Sequence, residues 1–278
     1  MNSLALVLTI IVSIALIKIC YKKKFLLDYK IERHKRYVSK KNNLSLGGVI
    51  FLFYLFLLFF FNDEISLVFF QSLILIFLIG FFSDLKILKS AILRFFLQLV
   101  ILLYFIISTN LSVPLSNIYF IDLVLNNHIT NKLFTIFCLM ILINGSNFID
   151  GINTLLIGNN FIICFFLIYF LSEEISFSSL LINYSFIILF LLLLNFRGIV
   201  ILGDSGSYVL GFFLGIFLIN MAMNTPYLSP FLIVSLIWYP CYELLFSIIR
   251  RIYSNKETYK PDTNHLHQLF YLFFINKK

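Results

Sequence analysis

Nine apolar runs separated by short polar breaks set what this chain can fold into: residues 3–19, 46–61, 65–82, 91–108, 133–143, 155–171, 177–196, 205–221 and 228–249. About 20 apolar residues in a helix cross the roughly 30 Å of bilayer hydrocarbon, so most of these runs have span length. Composition agrees, with 61% hydrophobic and only 12% charged residues, far from the roughly one quarter charged of a soluble domain. The expectation is an all-α, polytopic transmembrane helical bundle of about nine to ten spans, forming a single integral membrane domain over residues 1–278. The fifth run is short and has to tilt, borrow residues 118–125, or cross a thinned bilayer. Residues 266–275 are too few to cross and are expected at the interface or packed on the bundle.

The first run has no basic residue before it and Lys18 and Lys22 to Lys24 at its end. It lacks a small-residue cleavage site, so it reads as a retained helix and not a removed signal. Cys20, Cys138, Cys164 and Cys241 lie in or beside apolar runs without C-x-x-C spacing, which argues against a disulfide framework or a thiolate metal site.

Charge orients the spans. Alternating nine crossings puts 18 of the 21 Lys and Arg residues on one side, ten of them between Lys18 and Lys41. The other side holds Lys132 with Asp63, Glu64, Asp122, Glu173 and Glu174. The positive-inside rule makes the first side cytoplasmic and places the N-terminus outside. Four polar segments then fall on the cytoplasmic face: S-D-L-K from Ser83, N-G-S-N-F-I-D-G from Asn144, G-D-S-G-S from Gly203, and P-D-T-N-H-L-H-Q from Pro261. Carboxylates at span ends are costly, so their gathering on one face calls for a function.

Asn144, Asn147 and Asp150 recur every third residue and so share one stripe of a helix or its first unwound turn. Their carboxamides suit sugar or base edges; the plain alternative is a helix end stopped at Gly151. At Gly203 and Asp204 a helix begins, where free N–H groups suit a phosphate. A carboxylate there suits a hard cation such as Mg²⁺, which takes one or two carboxylates plus substrate phosphates. An ordinary N-cap is the competing reading of Asp204. His265 and His267 could face a phosphate or act as acid and base near neutral pH; a transition-metal site would want further His or Cys. Asp84 with Lys86 and Lys89 reads as a cation site flanked by phosphate-binding lysines, or as a loop on anionic head groups.

In this order the motifs resemble those of the polyprenyl-phosphate N-acetylhexosamine-1-phosphate transferases, which start peptidoglycan, O-antigen and teichoic-acid linkage intermediates. Gly47-Gly48, Gly80 to Leu85, N-x-x-N-F-x-D-G, L-G-D-S-G-S-x-x-L-G over 202–211 and D-x-x-H-L-H over 262–267 carry the likeness. The resemblance implies transfer of a sugar 1-phosphate from a UDP-sugar to undecaprenyl or another polyprenyl phosphate, releasing UMP, at the cytoplasmic face of a bacterial inner membrane. It implies Mg²⁺, or Mn²⁺ in its place, with Asp204 and Asp84 as metal ligands. Asp84, Asp150, His265 and His267 become the catalytic candidates, and Asn144, Asn147, Lys86, Gly203 and Ser207 the substrate-binding ones. The partners are the nucleotide sugar, the lipid and the bilayer; no nucleic acid is expected, and a homodimer is compatible.

Two positions depart from the family. Ser83 stands where the first of two paired aspartates is usual, and Asn153 where the last aspartate of D-G-x-D-G is usual. Ser83 cannot act as a carboxylate base. A phosphate monoester with a second pKa of about 6 is nonetheless mostly dianionic at neutral pH and can attack unaided. The same departures suit a catalytically degenerate scaffold of this fold. A secondary transporter fits less well, because transporters hold substrate near the midplane and often carry internal repeats.

Overall fold

The computed structural model describes residues 2–26, 43–61, 66–170, 175–225, 228–254 and 265–275. In chain order the elements are α1 (Asn2–Lys23), β1 (Leu44–Ser45), α2 (Gly47–Phe61), α3 (Leu67–Asp84), α4 (Ala91–Thr109), α5 (Tyr119–Leu125) and α6 (His128–Ile149). There follow α7 (Leu155–Phe170), α8 (Ile175–Phe196), β2 (Val200–Ile201), α9 (Gly203–Asn224), α10 (Pro230–Leu236), α11 (Trp238–Tyr253) and α12 (Leu266–Ile275). Among the described residues, each of the nine apolar runs is largely helical. Among the described residues, α1, α3, α4, α6 and α9 are long and apolar enough to cross a membrane. The pair α10 and α11, bent by 72°, makes a sixth candidate, while α2, α7 and residues 181–196 of α8 are shorter. The chain is an all-α, multi-pass membrane protein.

The fifth run differs from expectation. It neither borrows residues 118–125, which are the N-cap and seven residues of the separate helix α5, nor stays short, since α6 has 22 residues. Its polar ends are helical because their side chains are satisfied. Asn127 caps the start by accepting from the N–H groups of Ile129 and Thr130, and Asn131 donates to the carbonyls of Val113 and Leu125. Such capping meets N–H groups that the first helical turn leaves over.

The bundle is arranged around α9, which packs against α2, α3 and α6. Small residues set these crossings. A Cβ on Gly80 would lie 2.4 Å from the Ser205 Cα, and one on Gly48 2.5 Å from the Gly206 nitrogen. Gly211 and Gly215 make the same allowance for Ile143 and Leu139 of α6. Close approach over small residues is how helices gain contact in lipid, where burial from water supplies little drive. Deeper in, Phe69 stacks on Phe212, and Phe105 meets Phe212 edge-on.

These contacts run α9 antiparallel to both α3 and α6, so the end of α3, the start of α4, the end of α6 and the start of α9 meet at one end of the bundle. A two-residue parallel ladder, Leu44 with Val200 and Ser45 with Ile201, brings the start of α2 to the same place. Asn195 fastens it by donating to the Val200 carbonyl and accepting from the Thr154 N–H. Lys132 lies at the opposite end, bonded to Asn110 after α4.

Candidate functional site

The start of α9 is built around a carboxylate from another helix. Asp84, the last residue of α3, accepts the N–H groups of Asp204 at 2.8 Å and Ser205 at 3.1 Å, and the Ser205 hydroxyl at 2.7 Å. Neither the plain N-cap reading of Asp204 nor the free anion-binding N-terminus describes this arrangement. The position before the helix is Leu202, which makes no side-chain cap, and Asp84 takes the N–H groups expected to meet a phosphate. A carboxylate there also complements the positive end of the helix dipole. Gly203 makes this possible. Its φ is +71°, and a Cβ would stand 2.4 Å from the Ser45 hydroxyl and 2.7 and 2.8 Å from the two Asp84 oxygens. The space that a side chain would need at Gly203 is thus filled by Asp84 and Ser45.

With its backbone held, Asp204 projects its carboxylate toward Ser83 and Arg94. The Ser83 hydroxyl donates to Asp204 Oδ2 at 2.6 Å. Arg94 Nη1, from the first turn of α4, pairs with the same oxygen and also donates to the Ser83 hydroxyl. The side chains of Arg94 and Asp204 are only 19% and 16% exposed, so water screens the pair weakly.

The α6 stripe lies alongside. Ser207 donates to Asn147 Oδ1 at 3.0 Å, and Asn147 Nδ2 reaches the Tyr208 hydroxyl at 3.4 Å. Ser207 is fully buried, so it positions Asn147 and cannot itself meet a substrate in this conformation. Asn144 donates to Gln98 of α4 at 3.0 Å and to the Met140 carbonyl. Asp150 is half-buried and is the C-cap of α6, with φ −73° and ψ 20°, just outside the helical region. Gly151 does not take the left-handed stop, since the positive φ in this turn falls on Thr154 at 72°. Lys86 is exposed in the turn after α3, its own φ being 60°.

His265 is buried at the start of α12, against the end of α6. Its ring centroid lies 5.2 Å from that of Phe148, and the Arg251 guanidinium lies over the same Phe148 ring at 5.6 Å. Glu243 of α11, 1% exposed, meets His265 Nδ1 at 3.2 Å and accepts the Leu266 N–H at 2.8 Å. His267 lies in α12, but its side chain, like Asp262 and Lys260, falls outside the described residues.

Asp204 and Ser83 are hard oxygen donors of the kind Mg²⁺ and Mn²⁺ take. Among the described residues no three His, Cys, Asp or Glu side chains form a ready metal cage, and Asp84 is committed to the α9 backbone. The residues therefore fit a divalent cation at Asp204 completed by phosphate oxygens, in competition with Arg94.

Sequence reasoning missed the partners. Arg94 was visible only as a charge, and Gln98 and Tyr208 as parts of apolar runs. Glu243 did carry a signal, being the single acid inside the run 228–249, where a carboxylate is costly unless partnered.

Residues 66–222, more than half of the chain, match the family model described as glycosyl transferase family 4. The chain belongs to this family. The family-4 match contains Ser83, Asp84, Arg94, the α6 stripe and Asp204, and ends before Glu243 and His265. It bears out the likeness read from the motifs. Over 134 residues the family-4 chain is 31% identical to the undecaprenyl-phosphate alpha-N-acetylglucosaminyl 1-phosphate transferase of Thermotoga maritima. That stretch covers 46% of this chain and 39% of that protein, so the two are comparable over well under half of the relative's length.

Proposed function

We propose that this protein transfers an N-acetylhexosamine 1-phosphate from a UDP-sugar to a polyprenyl phosphate at the cytoplasmic face of a bacterial inner membrane, starting a lipid-linked envelope glycan. The observation that carries the proposal is the meeting of Asp204, Ser83, Arg94 and Asn147 where four helix ends converge in a family-4 chain.

In the reaction an oxygen of the lipid phosphate attacks the sugar-bearing phosphorus of the donor. A new P–O–P bond forms to the lipid, and the bond between the two donor phosphates breaks. UMP leaves with the bridging oxygen, so no proton or electron has to be supplied. The barrier is largely repulsion between anions, which fixed positive charge lowers. Arg94 can hold the donor phosphates with its planar fork, and Lys86 supplies charge at the entrance. Asn144 and Asn147 present carboxamides to the nucleotide or sugar. Asp84 positions Asp204 by fixing the first turn of α9, and His265 is held by Glu243 against Phe148 near the end of α6. A divalent cation bound at Asp204 would neutralise further charge on the donor phosphates.

A catalytically silent scaffold of the same fold is supported by one observation, that Arg94 already neutralises Asp204 and Ser83 adds no second carboxylate. Membranes containing the protein, incubated with polyprenyl phosphate, Mg²⁺ and a panel of UDP-N-acetylhexosamines, decide between them by mass analysis of the lipid. A lipid diphosphate carrying one N-acetylhexosamine is the expected product. No lipid-linked sugar from any donor sinks the transferase reading in favour of the scaffold.

A further inference from the structure

We propose that Arg94 occupies the seat of a divalent cation on Asp204, so that the site excludes the free cation until an anion draws the guanidinium away. The nature of that anion, a nucleotide diphosphate, rests on the transferase reading; the occupied seat does not.

One nitrogen of Arg94 donates to both Asp204 Oδ2 and the Ser83 hydroxyl, the two oxygens a hard cation would take there. Both charged side chains are more than four-fifths buried, so a second cation at Asp204 would face the guanidinium with little water between. Arginine cannot give up its proton to relieve the conflict; it has to move. Asp84 is already engaged through both carboxylate oxygens with the first turn of α9. A diphosphate offers the guanidinium a planar, bidentate alternative. Once turned to it, Arg94 leaves the Asp204 oxygen and the Ser83 hydroxyl open beside the phosphate oxygens. Cation and donor then enter together, and the metal-free site does not collapse through repulsion or hold a cation idle.

The test is Mn²⁺ binding to the purified full-length protein, read from the free Mn²⁺ signal by electron paramagnetic resonance, with no donor and no lipid phosphate present. Arg94→Gln is expected to bind Mn²⁺ about tenfold or more tightly than wild type, the scale on which an adjacent charge acts. Arg94→Lys, which keeps the charge, should stay near wild type, and adding Asp204→Asn to Arg94→Gln should abolish the gain. The proposal is overturned if Arg94→Gln gains nothing, or if the gain survives Asp204→Asn. None of these readings requires turnover, so they stand or fall separately from the transferase reaction.

Discussion

At the scale of single residues, two aspartates that look alike in the sequence do different work. Asp204 faces Arg94 and Ser83, whereas Asp84 is spent on backbone N–H groups and works through the geometry of its neighbour. Asp84→Asn leaves an amide that can accept only at one oxygen. It should lower thermal stability by about 1 kcal/mol, the usual scale of a lost cap, and reduce sugar-phosphate transfer by misplacing Asp204. Thermal unfolding in detergent alongside the transfer assay checks both effects; a variant with full activity would remove Asp84 from the site. Asp204, Asn147 and Ser207 were legible because each sits in a short local motif. Arg94 was not, since its contact with Asp204 joins positions 110 residues apart and nothing local marks the pairing.

At the scale of elements, α9 is held by close backbone approach, and glycine is the sequence trace of it. Gly80→Ala would set a Cβ 2.4 Å from Ser205 Cα, an atom that cannot swing aside. Such overpacking typically costs about 1–3 kcal/mol, and by parting α3 from α9 it should also weaken the Asp84 contacts. Unfolding in detergent measures the first effect, and an unshifted midpoint would mean that the crossing relaxes freely. Glu243 anchors α12 by accepting the Leu266 N–H and meeting His265. Glu243→Gln should raise hydrogen exchange over 265–275 while leaving α3 and α4 protected; equal protection in wild type and variant would deny the anchoring role. Continuous apolar runs exposed where the helices lie, but polar side chains inside them blurred their ends. The fifth apolar run, 133–143, stops short of Asn131, Asn144 and Asn147, yet all three lie within α6, where each finds a partner.

At the scale of the molecule, the charge asymmetry and the packing point the same way. The helix ends bearing the polar motifs share one end of the bundle, and Lys132 sits at the other. If the basic end is cytoplasmic, a cysteine at position 86 should react with a membrane-impermeant thiol reagent only from the inside, and one at 132 only from the outside. Labelling of intact cells and inverted vesicles, in a background lacking the four native cysteines, reads this directly. Labelling of both positions from one side would break the topology. The convergence of the motifs could be inferred from charge alone, whereas the bend between α10 and α11 was passed over by the apolar count, although Pro240 in the first turn of α11 is the kind of residue at which a helix breaks.

The most direct measurement is the nucleotide released. Purified protein given UDP-N-acetylglucosamine, polyprenyl phosphate and Mg²⁺ should form UMP in step with lipid-linked sugar, because the bond broken lies between the two donor phosphates. Asp204→Asn, folded and inserted, should slow this about a hundredfold or more, as loss of a site's electrostatic anchor does elsewhere. Release of UDP in place of UMP, or wild-type rates from Asp204→Asn, would contradict a sugar-phosphate transfer centred on Asp204.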